Sequence, residues 1–539
     1  MAWLKQTLTR RDFANLTGVA GGLATFGCEK NEAAAPEEPE FQLAENSVAE
    51  LASGMADGRL TSRSICELYL DRIDAIDRGG PALNSIIEIN PDALAIADGL
   101  DAERAAGTVR GPLHGVPVVL KDNIDTADKM QTTAGSLALI DSGVIQDSWV
   151  ADRLRAAGAV ILAKTNLSEW ANFRSNDSTS GWSGRGGLTK NPYALDRNAC
   201  GSSSGSAVAV SANLAPLAIG TETNGSVVCP SSVNGIVGIK PTVGLVGRSG
   251  IVPIAHSQDT AGPMARTVAD AAALLGALTG IDPRDAITAG SRGNSHADYT
   301  QFLDPEGLAG ARVGLIRSYW GRRAALDGVL DSAVDAMRGA GAELVEIDEL
   351  PGLEGVGGAA FEVMLYEFKA DLNAYLANLG ANAKVKALAD IIQFNKDHSD
   401  EELRYFDQGL MELAQAKGPL TEPAYIEALR KSQGLSRNAI DQTVEEHELS
   451  ALFAPTTGPA WVTDLIHGDR SGFAGSSSAA ARAGYPSITV PGGFIGGLPM
   501  GVSFFGPAYS EPTLIKIAHG FEHATKVRRA PTFLPTVEL

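Results

Sequence analysis

Short apolar runs alternate with helical segments through the middle of this 539-residue chain, and this alternation limits the folds open to it. Trp149–Ala157 and Val268–Leu278 have the apolar spacing of helices. The runs predicted to be buried strands are Val116–Leu120, Val160–Ala163, Leu217–Ile219, Ile236–Ile239 and Val313–Ile316. Strands that alternate with helices are typical of an α/β fold with a largely covered sheet.

Two mainly helical regions flank the alternation. Apolar residues recur three or four positions apart in the N-terminal part, residues 41–110, where Asn90-Pro91-Asp92 predicts the start of a further helix. Between about residues 351 and 449 the spacing again becomes helical, which predicts a helical cap. This cap either shapes substrate access or simply packs as surface helices. The strand pattern then resumes at Ala451–Phe453, Ser487–Val490 and Val502–Phe505.

A serine-rich block and a distant lysine indicate chemistry. The block begins CGSSSGSAVAV at Cys200 and ends TETNGSVVC at Cys229, and Lys121 ends the apolar run GVPVVLK. A serine hydroxyl is a weak nucleophile until a base takes its proton, and a desolvated, neutral lysine can be that base. Two serines and a buried lysine therefore suffice for acyl transfer without metal or cofactor, and we expect neither. The alternative is that Lys121 pairs with a carboxylate such as Asp122.

The chain resembles the amidase signature family of serine hydrolases. The motifs that carry the resemblance are GPLHGVPVVLKDNI, AGAVILAKTNLSEWANF, the serine block, GIKPTVGLV, SQDTAGPMARTVADAA, APTTGPAW and AGYPSITVPGG, from about Ala49 to the C-terminus. Within the family the chain is most similar to the bacterial peptide amidase type, which removes C-terminal amides from peptides. The resemblance implies a large mixed β-sheet covered by helices and a Ser-Ser-Lys triad.

By the same resemblance, Lys121 is the base, Ser202 the relay serine and Ser226 the nucleophile, with a cis peptide bond before Ser202. The backbone N–H groups of residues 223–226 (Thr223, Asn224, Gly225 and Ser226) are the predicted oxyanion hole. Val228 departs from the family, in which arginine often occupies this position.

Other catalytic motifs fit poorly. Gly201–Gly205 matches G-x-S-x-G, but the polar residues before it do not form the strand that a nucleophile elbow requires. No Ser-x-x-Lys occurs in the sequence. His519 and His523 lie in HGFEH rather than in the H-E-x-x-H of zinc proteases, so a helix surface is the better interpretation.

Charge and cysteine content exclude further classes. The net charge of −20 disfavours nucleic-acid partners, which require a basic footprint. Four cysteines are too few for a disulfide framework in a chain of this length. Cys200 and Cys229 flank the serine block and could lie close together. We expect free, buried thiols there rather than a bridge.

The first 40 residues resemble a targeting segment followed by a linker. Arg10-Arg11 precedes an apolar, glycine-rich run from Phe13 to Gly27, which resembles a twin-arginine export signal and is too short to span a bilayer. Cys28 is a possible lipidation site, and the acidic Ala33–Glu40 is predicted to be a disordered linker. We therefore expect a periplasmic or secreted protein, which lipidation of Cys28 would make a lipoprotein. The alternative is an accidental arginine pair.

The predicted function is hydrolysis of carboxamides, C-terminal amides of peptides above all, to a carboxylate and ammonia. One alternative keeps the fold but changes the substrate, to fatty-acid amides, aryl amides or an ammonia donor for tRNA-bound aminoacyl groups. Another is a catalytically inactive binding protein on the same scaffold. The oligomeric state is not predicted.

Overall fold

The computed structural model describes residues 41–471 and 475–538. The predicted export signal, the acidic linker and Cys28 lie outside these residues, and their assignments stay predictions. From Gln42 onward the chain forms one compact unit. None of its described helices combines the length and apolar character needed to cross a bilayer.

The strands of the described residues, in chain order, are β1 (Ile86–Ile89), β2 (Pro117–Lys121), β3 (Val160–Thr165), β4 (Trp182–Ser183), β5 (Gly187–Leu188), β6 (Leu217–Glu222), β7 (Val237–Lys240), β8 (Thr260–Ala265), β9 (Arg312–Ile316), β10 (Glu343–Ile347), β11 (Ala451–Pro455), β12 (Ser487–Ile495) and β13 (Leu498–Phe505).

The α-helices are α1 (Val48–Ala56), α2 (Ser62–Arg72), α3 (Ala93–Ala105), α4 (Trp149–Ala156), α5 (Ser204–Ser211), α6 (Val228–Val233), α7 (Val268–Leu278), α8 (Ala324–Gly339), α9 (Val356–Ala377), α10 (Leu388–Asp397), α11 (Ser399–Glu402), α12 (Gly409–Gln415), α13 (Pro423–Glu446), α14 (Ser477–Ala483) and α15 (Glu511–Thr525).

One mixed sheet of 11 strands organises the protein, in the order β1-β3-β2-β6-β8-β7-β12-β13-β11-β9-β10. β2 pairs in parallel with β3 and β6, whereas β8 is antiparallel to both β6 and β7. Helices α5, α6, α7 and α15 pack against the strands. The central strands are buried along their whole length, as a sheet covered by helices requires. The predicted α/β fold with a mixed sheet is confirmed.

Five strands were not predicted from the sequence, namely β1, β4, β5, β8 and β10, and β1 and β8 show why. The predicted helical N-terminal part also contains β1, a short edge strand. The central strand β8 reads TAGPMA, in which Gly262 and Pro263 are residues that strands disfavour. Its place is decided by pairing, since Ala218 lies opposite Met264 and Ile219 opposite Pro263.

The region from 351 to 449 is helical, as predicted. Helices α9, α10 and α12 share an apolar cluster with Trp170, Phe173 and Val252 of the sheet-bearing part of the chain. Helix α13 begins at Pro423, where the missing proline N–H costs nothing, and packs along α9. The face of α9 that lines a cavity beside β6 is described below.

Candidate active site

The three predicted catalytic residues lie on three elements that meet at one edge of the sheet. Lys121 is the last residue of β2, and Ser226 lies in the turn after β6. Because β2 and β6 are parallel neighbours, their carboxyl ends lie at the same edge. Ser202 precedes α5, and its hydroxyl lies 2.7 Å from the Lys121 amine, which also donates to Thr221 Oγ1 at 2.8 Å and to the Thr221 carbonyl at 3.2 Å.

The Lys121 amine is completely buried. Burial lowers its pKa to about 7, because removal from water penalises the charged ammonium. The negative charges of Asp259 and Glu222 oppose this shift without cancelling it. Near neutral pH a substantial fraction of Lys121 is therefore neutral and can accept a proton.

Asp122, the carboxylate considered as a partner for Lys121, is engaged elsewhere. It accepts hydrogen bonds from the Thr133 hydroxyl and the Gly135 N–H, and it pairs with Arg185 at 3.4 Å. An ion pair between Lys121 and Asp122 is absent from the described residues, so this alternative fails.

The backbone around Ser202 is held from two sides. The Gly201–Ser202 peptide bond is cis, as the family resemblance implied. The Ser202 carbonyl accepts from the Ser168 N–H at 3.0 Å, and the Ser203 N–H donates to the Ser226 carbonyl at 3.2 Å. A Cβ added at position 201 would lie 2.1 Å from the Ser168 hydroxyl oxygen, so Ser168 would have to move and give up the hydrogen bond that it accepts from the Gly181 N–H.

Ser226 is nearly buried and lies beside Ser203 through this backbone contact. Its hydroxyl is not hydrogen-bonded to that of Ser202 in this structure, although both residues are described. Apo active sites often show such loose geometry and tighten when substrate binds. The structure therefore brings Lys121 and Ser202 into direct contact and leaves Ser226 next to them.

The turn between β6 and Ser226 is organised by Glu222. Its carboxylate accepts from the N–H groups of Gly225, Val227 and Val228 at 2.7, 2.8 and 3.0 Å, and Gly225 has a left-handed φ of 87°. The Gly225 N–H, one of the four predicted oxyanion donors, is thus already used. Thr223, Asn224 and Ser226 remain as the candidates.

Sequence reasoning missed several residues that build the site. Thr221 contacts Lys121, and Asn123 donates to the Thr221 hydroxyl at 3.0 Å. Asp259 accepts from the Thr223 hydroxyl at 2.5 Å, and Gln258 donates to the Thr223 carbonyl at 3.1 Å. Thr221, like Glu222, lies inside the serine block, and Asn123 lies two residues after Lys121. Gln258 and Asp259 belong to the motif SQDTAGPM, so the sequence marked these segments but not the contacts that their side chains make.

A cavity of about 570 Å³ opens beside the Thr221–Thr223 end of β6. This volume lies in the range of small-molecule sites. Helix α9 contributes Asp371, Ala374 and Tyr375 to its wall, whereas Lys121, Ser202 and Ser226 are not among the lining residues. That the helical region shapes substrate access therefore stays a prediction. Residues 248–254 and His256 also line the cavity, and Arg248 forms an ion pair with Asp285 at 2.8 Å.

One group of described residues has the composition of a metal site: His256, Glu367 and Asp371. Their bonds to one another and to protein donors already satisfy them. His256 Nδ1 lies 2.9 Å from Asp371, and Glu367 accepts from Ser257 and Tyr425 at 2.8 Å each. These contacts join the loop after β7 to α9 and give no reason to place a cation there.

Cys200 and Cys229 form a disulfide, so the prediction of free thiols was wrong. The chain leaves Cys200, runs through α5 and β6, and returns so that the two Cα atoms lie 6.2 Å apart, which suits a disulfide. Cys66 is the free cysteine of the described residues, and burial raises its pKa to about 12, which makes it inert.

Known proteins match the chain over almost its whole length. The family model Amidase matches residues 64–515. A probable amidase of Arabidopsis thaliana is 43% identical over 503 residues, which cover 92% of this chain and 93% of that protein. A chain of the glutamyl-tRNA(Gln) amidotransferase of Halorhodospira halophila is 33% identical over 493 residues, with 89% of this chain and 97% of that one covered.

Among solved structures, native peptide amidase from Stenotrophomonas maltophilia superposes with a TM-score of 0.87 at 52% identity, covering 92% of this chain and 99% of that one. The fold, the family model and these relatives agree. The chain belongs to the amidase family and is a hydrolase that acts on amide C–N bonds.

Proposed function

We propose that this amidase cleaves carboxamides through an acyl-serine intermediate formed by Ser226, with Lys121 as base and Ser202 as relay. The observation that carries the proposal is the 2.7 Å contact between the buried Lys121 amine and the Ser202 hydroxyl. A neutral amine in this position can accept the Ser202 proton, and Ser202 can then take the proton of Ser226.

In the acylation step, Ser226 Oγ bonds to the amide carbon and the carbonyl oxygen gains a negative charge. Backbone N–H groups of Thr223, Asn224 and Ser226 are the candidate donors for this oxyanion, and one such donor is worth about 3 kcal/mol. The C–N bond then breaks, Ser202 returns a proton to the leaving nitrogen, and Lys121 reprotonates Ser202. Ammonia departs and leaves the acyl ester on Ser226.

In the deacylation step, water takes the place vacated by ammonia. Its proton passes through Ser202 to Lys121 while its oxygen attacks the ester carbon. The ester bond breaks, Ser226 regains a proton through the same relay, and the carboxylic acid leaves. Each turnover consumes one amide and one water and releases one carboxylic acid and one ammonia, which exchange a proton in solution to give carboxylate and ammonium.

We propose C-terminal amides of peptides as the substrate class. The similarity to the Stenotrophomonas peptide amidase supports this choice, and the 570 Å³ cavity beside Thr221 and Thr223 has room for a short peptide end. Fatty-acid amides and aryl amides are the competing substrates on the same catalytic residues. An inactive scaffold is the competing interpretation of the whole site.

The test is ammonia release from matched panels of peptide amides, fatty-acid amides and aryl amides. Peptide amides should give the highest kcat/KM, and Ser226→Ala should abolish turnover of every substrate without changing the circular dichroism spectrum. A fluorophosphonate should label Ser226 in the wild type. Turnover by Ser226→Ala, or labelling at another serine, would contradict the mechanism; a preference for fatty or aryl amides would contradict only the substrate.

We also propose export through the twin-arginine segment to an oxidising compartment. The Cys200–Cys229 disulfide supports this location, since such bonds persist outside the reducing cytosol. Replacement of Arg10 and Arg11 by lysine should retain the protein in the cytosolic fraction. Cys28→Ser, in the same fractionation, should move the protein from membrane to soluble fractions if Cys28 carries a lipid.

A further inference from the structure

Two glutamates face each other in a fully buried cluster away from the Lys121 amine. Glu169 comes directly after Ser168, the residue whose backbone contacts Ser202. Glu402 is the last residue of α11 in the helical region. A Cβ built on Gly184 would lie 2.7 Å from Glu402 Oε2 and 3.0 Å from Glu169 Oε2, so both oxygens point to the same place. Both side chains are at most 1% exposed.

The hydrogen bonds of the cluster fix the direction of each oxygen. Glu402 Oε1 accepts from the Leu137 N–H at 2.7 Å and from the Ser136 hydroxyl at 3.1 Å. Glu402 Oε2 is buried and receives no hydrogen bond from a donor among the described residues. Glu169 uses one oxygen for Arg174 and the other for the Gly184 N–H at 2.6 Å.

The charges of the cluster balance only when one carboxyl is neutral. Arg174 is the single cation that contacts the pair among the described residues, at 3.6 Å from Glu402 Oε2, and it also donates to backbone carbonyls of residues 402, 406 and 407. Two buried carboxylates against one guanidinium would leave an uncompensated charge, which costs several kcal/mol. A proton on Glu402 Oε2 removes that charge and supplies the missing donor toward Glu169.

The direction of the Glu402 pKa agrees with this assignment. Burial, and next the negative charge of Glu169, raise the pKa of Glu402 well above its ordinary value. The charged groups that face Glu402 from the packed segments are Glu169 and Arg174. The Ser136–Leu137 segment and Gly184 present only a hydroxyl and peptide N–H groups.

The pair supports a strained segment that leads to the active site. Trp170, Ala171 and Asn172 have φ values of 51°, 52° and 74°, a left-handed run that non-glycine residues adopt only when their surroundings enforce it. Ser168, one residue before Glu169, donates to the Ser202 carbonyl, and Ala171 lines the 570 Å³ cavity. Glu169 therefore sits between the relay serine and the cavity wall.

We propose that Glu402 is a neutral acid that donates to Glu169 and thereby positions residues 168–172 against Ser202. Glu402 is a positioning residue, since it touches neither substrate nor the reacting atoms. The inference rests on the proposed function because it assigns a role in holding the relay serine. It also gives the helical region a second task besides lining the cavity.

The test compares Glu402→Gln, Glu402→Ala and the control Glu401→Ala, an exposed neighbour on α11. Glutamine can accept from Leu137 through Oε1 and donate to Glu169 through Nε2, so Glu402→Gln should keep kcat within about 2-fold of the wild type. Glu402→Ala leaves Glu169 without this donor and should lower kcat about 10-fold or more, with a folded circular dichroism spectrum. Glu401→Ala should match the wild type.

The pH profile separates positioning from mere packing. In the wild type, ionisation of Glu402 at alkaline pH should lower kcat as the pair loses its shared proton. Glutamine cannot ionise, so Glu402→Gln should lack this alkaline fall. An unchanged alkaline fall in Glu402→Gln would overturn the proposal, even if Glu402→Ala does not fold.

Two further results would also overturn it: wild-type kcat in a folded Glu402→Ala variant, or equal loss of kcat in the glutamine and alanine variants. Ser226→Ala separates a failure of the proposed mechanism from a failure of the positioning role of Glu402. If Ser226→Ala is active, the proposed mechanism fails; if Ser226→Ala is inactive and Glu402→Ala is normal, only the positioning role fails.

Discussion

Two buried lysines on adjacent strands have different surroundings. Lys121 ends β2 and Lys164 lies in the neighbouring strand β3, where its register partner is Leu120. Both are completely buried, and burial lowers the pKa of both amines. Lys121 contacts two hydroxyls and one carbonyl, whereas Lys164 donates to the carbonyls of Ile124 and Gln131 and to a threonine hydroxyl.

Burial by itself therefore does not make a lysine a base. Lys164 is surrounded by four carboxylates, with Asp122 and Asp125 the largest influences, and these favour its charged form. Lys121 has Asp259 and Glu222 nearby, and its partner Ser202 can exchange a proton with it. The first lysine is suited to proton transfer and the second to holding the loop after β2.

The largest expected contrast is in activity. Lys121→Met should reduce kcat/KM by about 10³-fold or more, because the general base is lost while methionine fills the same space. Lys164→Met should retain activity in whatever fraction folds. Ammonia release per folded protein, with the folded fraction taken from the circular dichroism spectrum, measures both. Comparable losses of kcat/KM in the two variants would contradict the assignment of Lys121, rather than Lys164, as the base.

For stability we expect the opposite ranking, with Lys164→Met losing more than Lys121→Met. Lys164→Met leaves two carbonyls and the Thr132 hydroxyl without their buried donor and removes the cation beside Asp122, so we expect a loss of about 3 kcal/mol. Lys121→Met should lose less, because the neutral form of Lys121 already carries no charge to compensate. Urea denaturation midpoints at pH 7 test this, and a less stable Lys121→Met would contradict it.

The acid limb of the kcat/KM profile should report Lys121 alone. The neutral amine is the active form and its pKa is about 7, so the rate should rise about tenfold per pH unit below 7 and level off above it, until the alkaline fall assigned to Glu402 begins. The titration of Lys121 also affects the free energy of unfolding, because burial in the folded state favours the neutral amine. Its contribution therefore falls as pH drops from the ordinary lysine value of 10.5 to about 7, and is constant below.

An acid limb near pH 10 instead of 7 would show that Lys121 keeps its ordinary pKa and would contradict this assignment. Lys164 should add no limb, since its protonation takes no part in turnover. The Lys164→Met profile is the control.

The smallest expected effect concerns the hydroxyl that shares Lys121 with Ser202. Thr221→Val removes one hydrogen bond to the amine at nearly constant volume and should lower kcat about 5-fold, equivalent to about 1 kcal/mol. Thr132→Val makes the same change beside Lys164 and should leave kcat unaltered. Equal effects on kcat in the two variants would remove the distinction between the two lysines.

Much of the fold follows from local pattern. Val268–Leu278 was predicted to the residue, because apolar spacing and the Thr267 cap both act within one helix. β8 was missed because its glycine and proline disguise a strand that only its neighbours enforce. The disulfide was missed for a similar reason: spacing does not reveal whether two cysteines come close.

The candidate site divides in the same way. The lysine, the two serines and their family resemblance are visible in the sequence, and so is the apolar strand that buries Lys121. Yet GVPVVLK and AVILAK are alike as strings, each an apolar run that ends in lysine. Nothing in either run tells a base from a structural cation.

The sequence by itself determined the α/β architecture, the family and the residue types available for acyl transfer, because these depend on periodicity and on motifs that are contiguous in the chain. Only the tertiary structure decided which lysine meets a serine, which N–H groups Glu222 occupies, and that Glu402 reaches Glu169 from a distant segment of the chain. The physical reason is that pKa values and hydrogen bonds depend on distances of a few ångströms between segments, which sequence separation does not record.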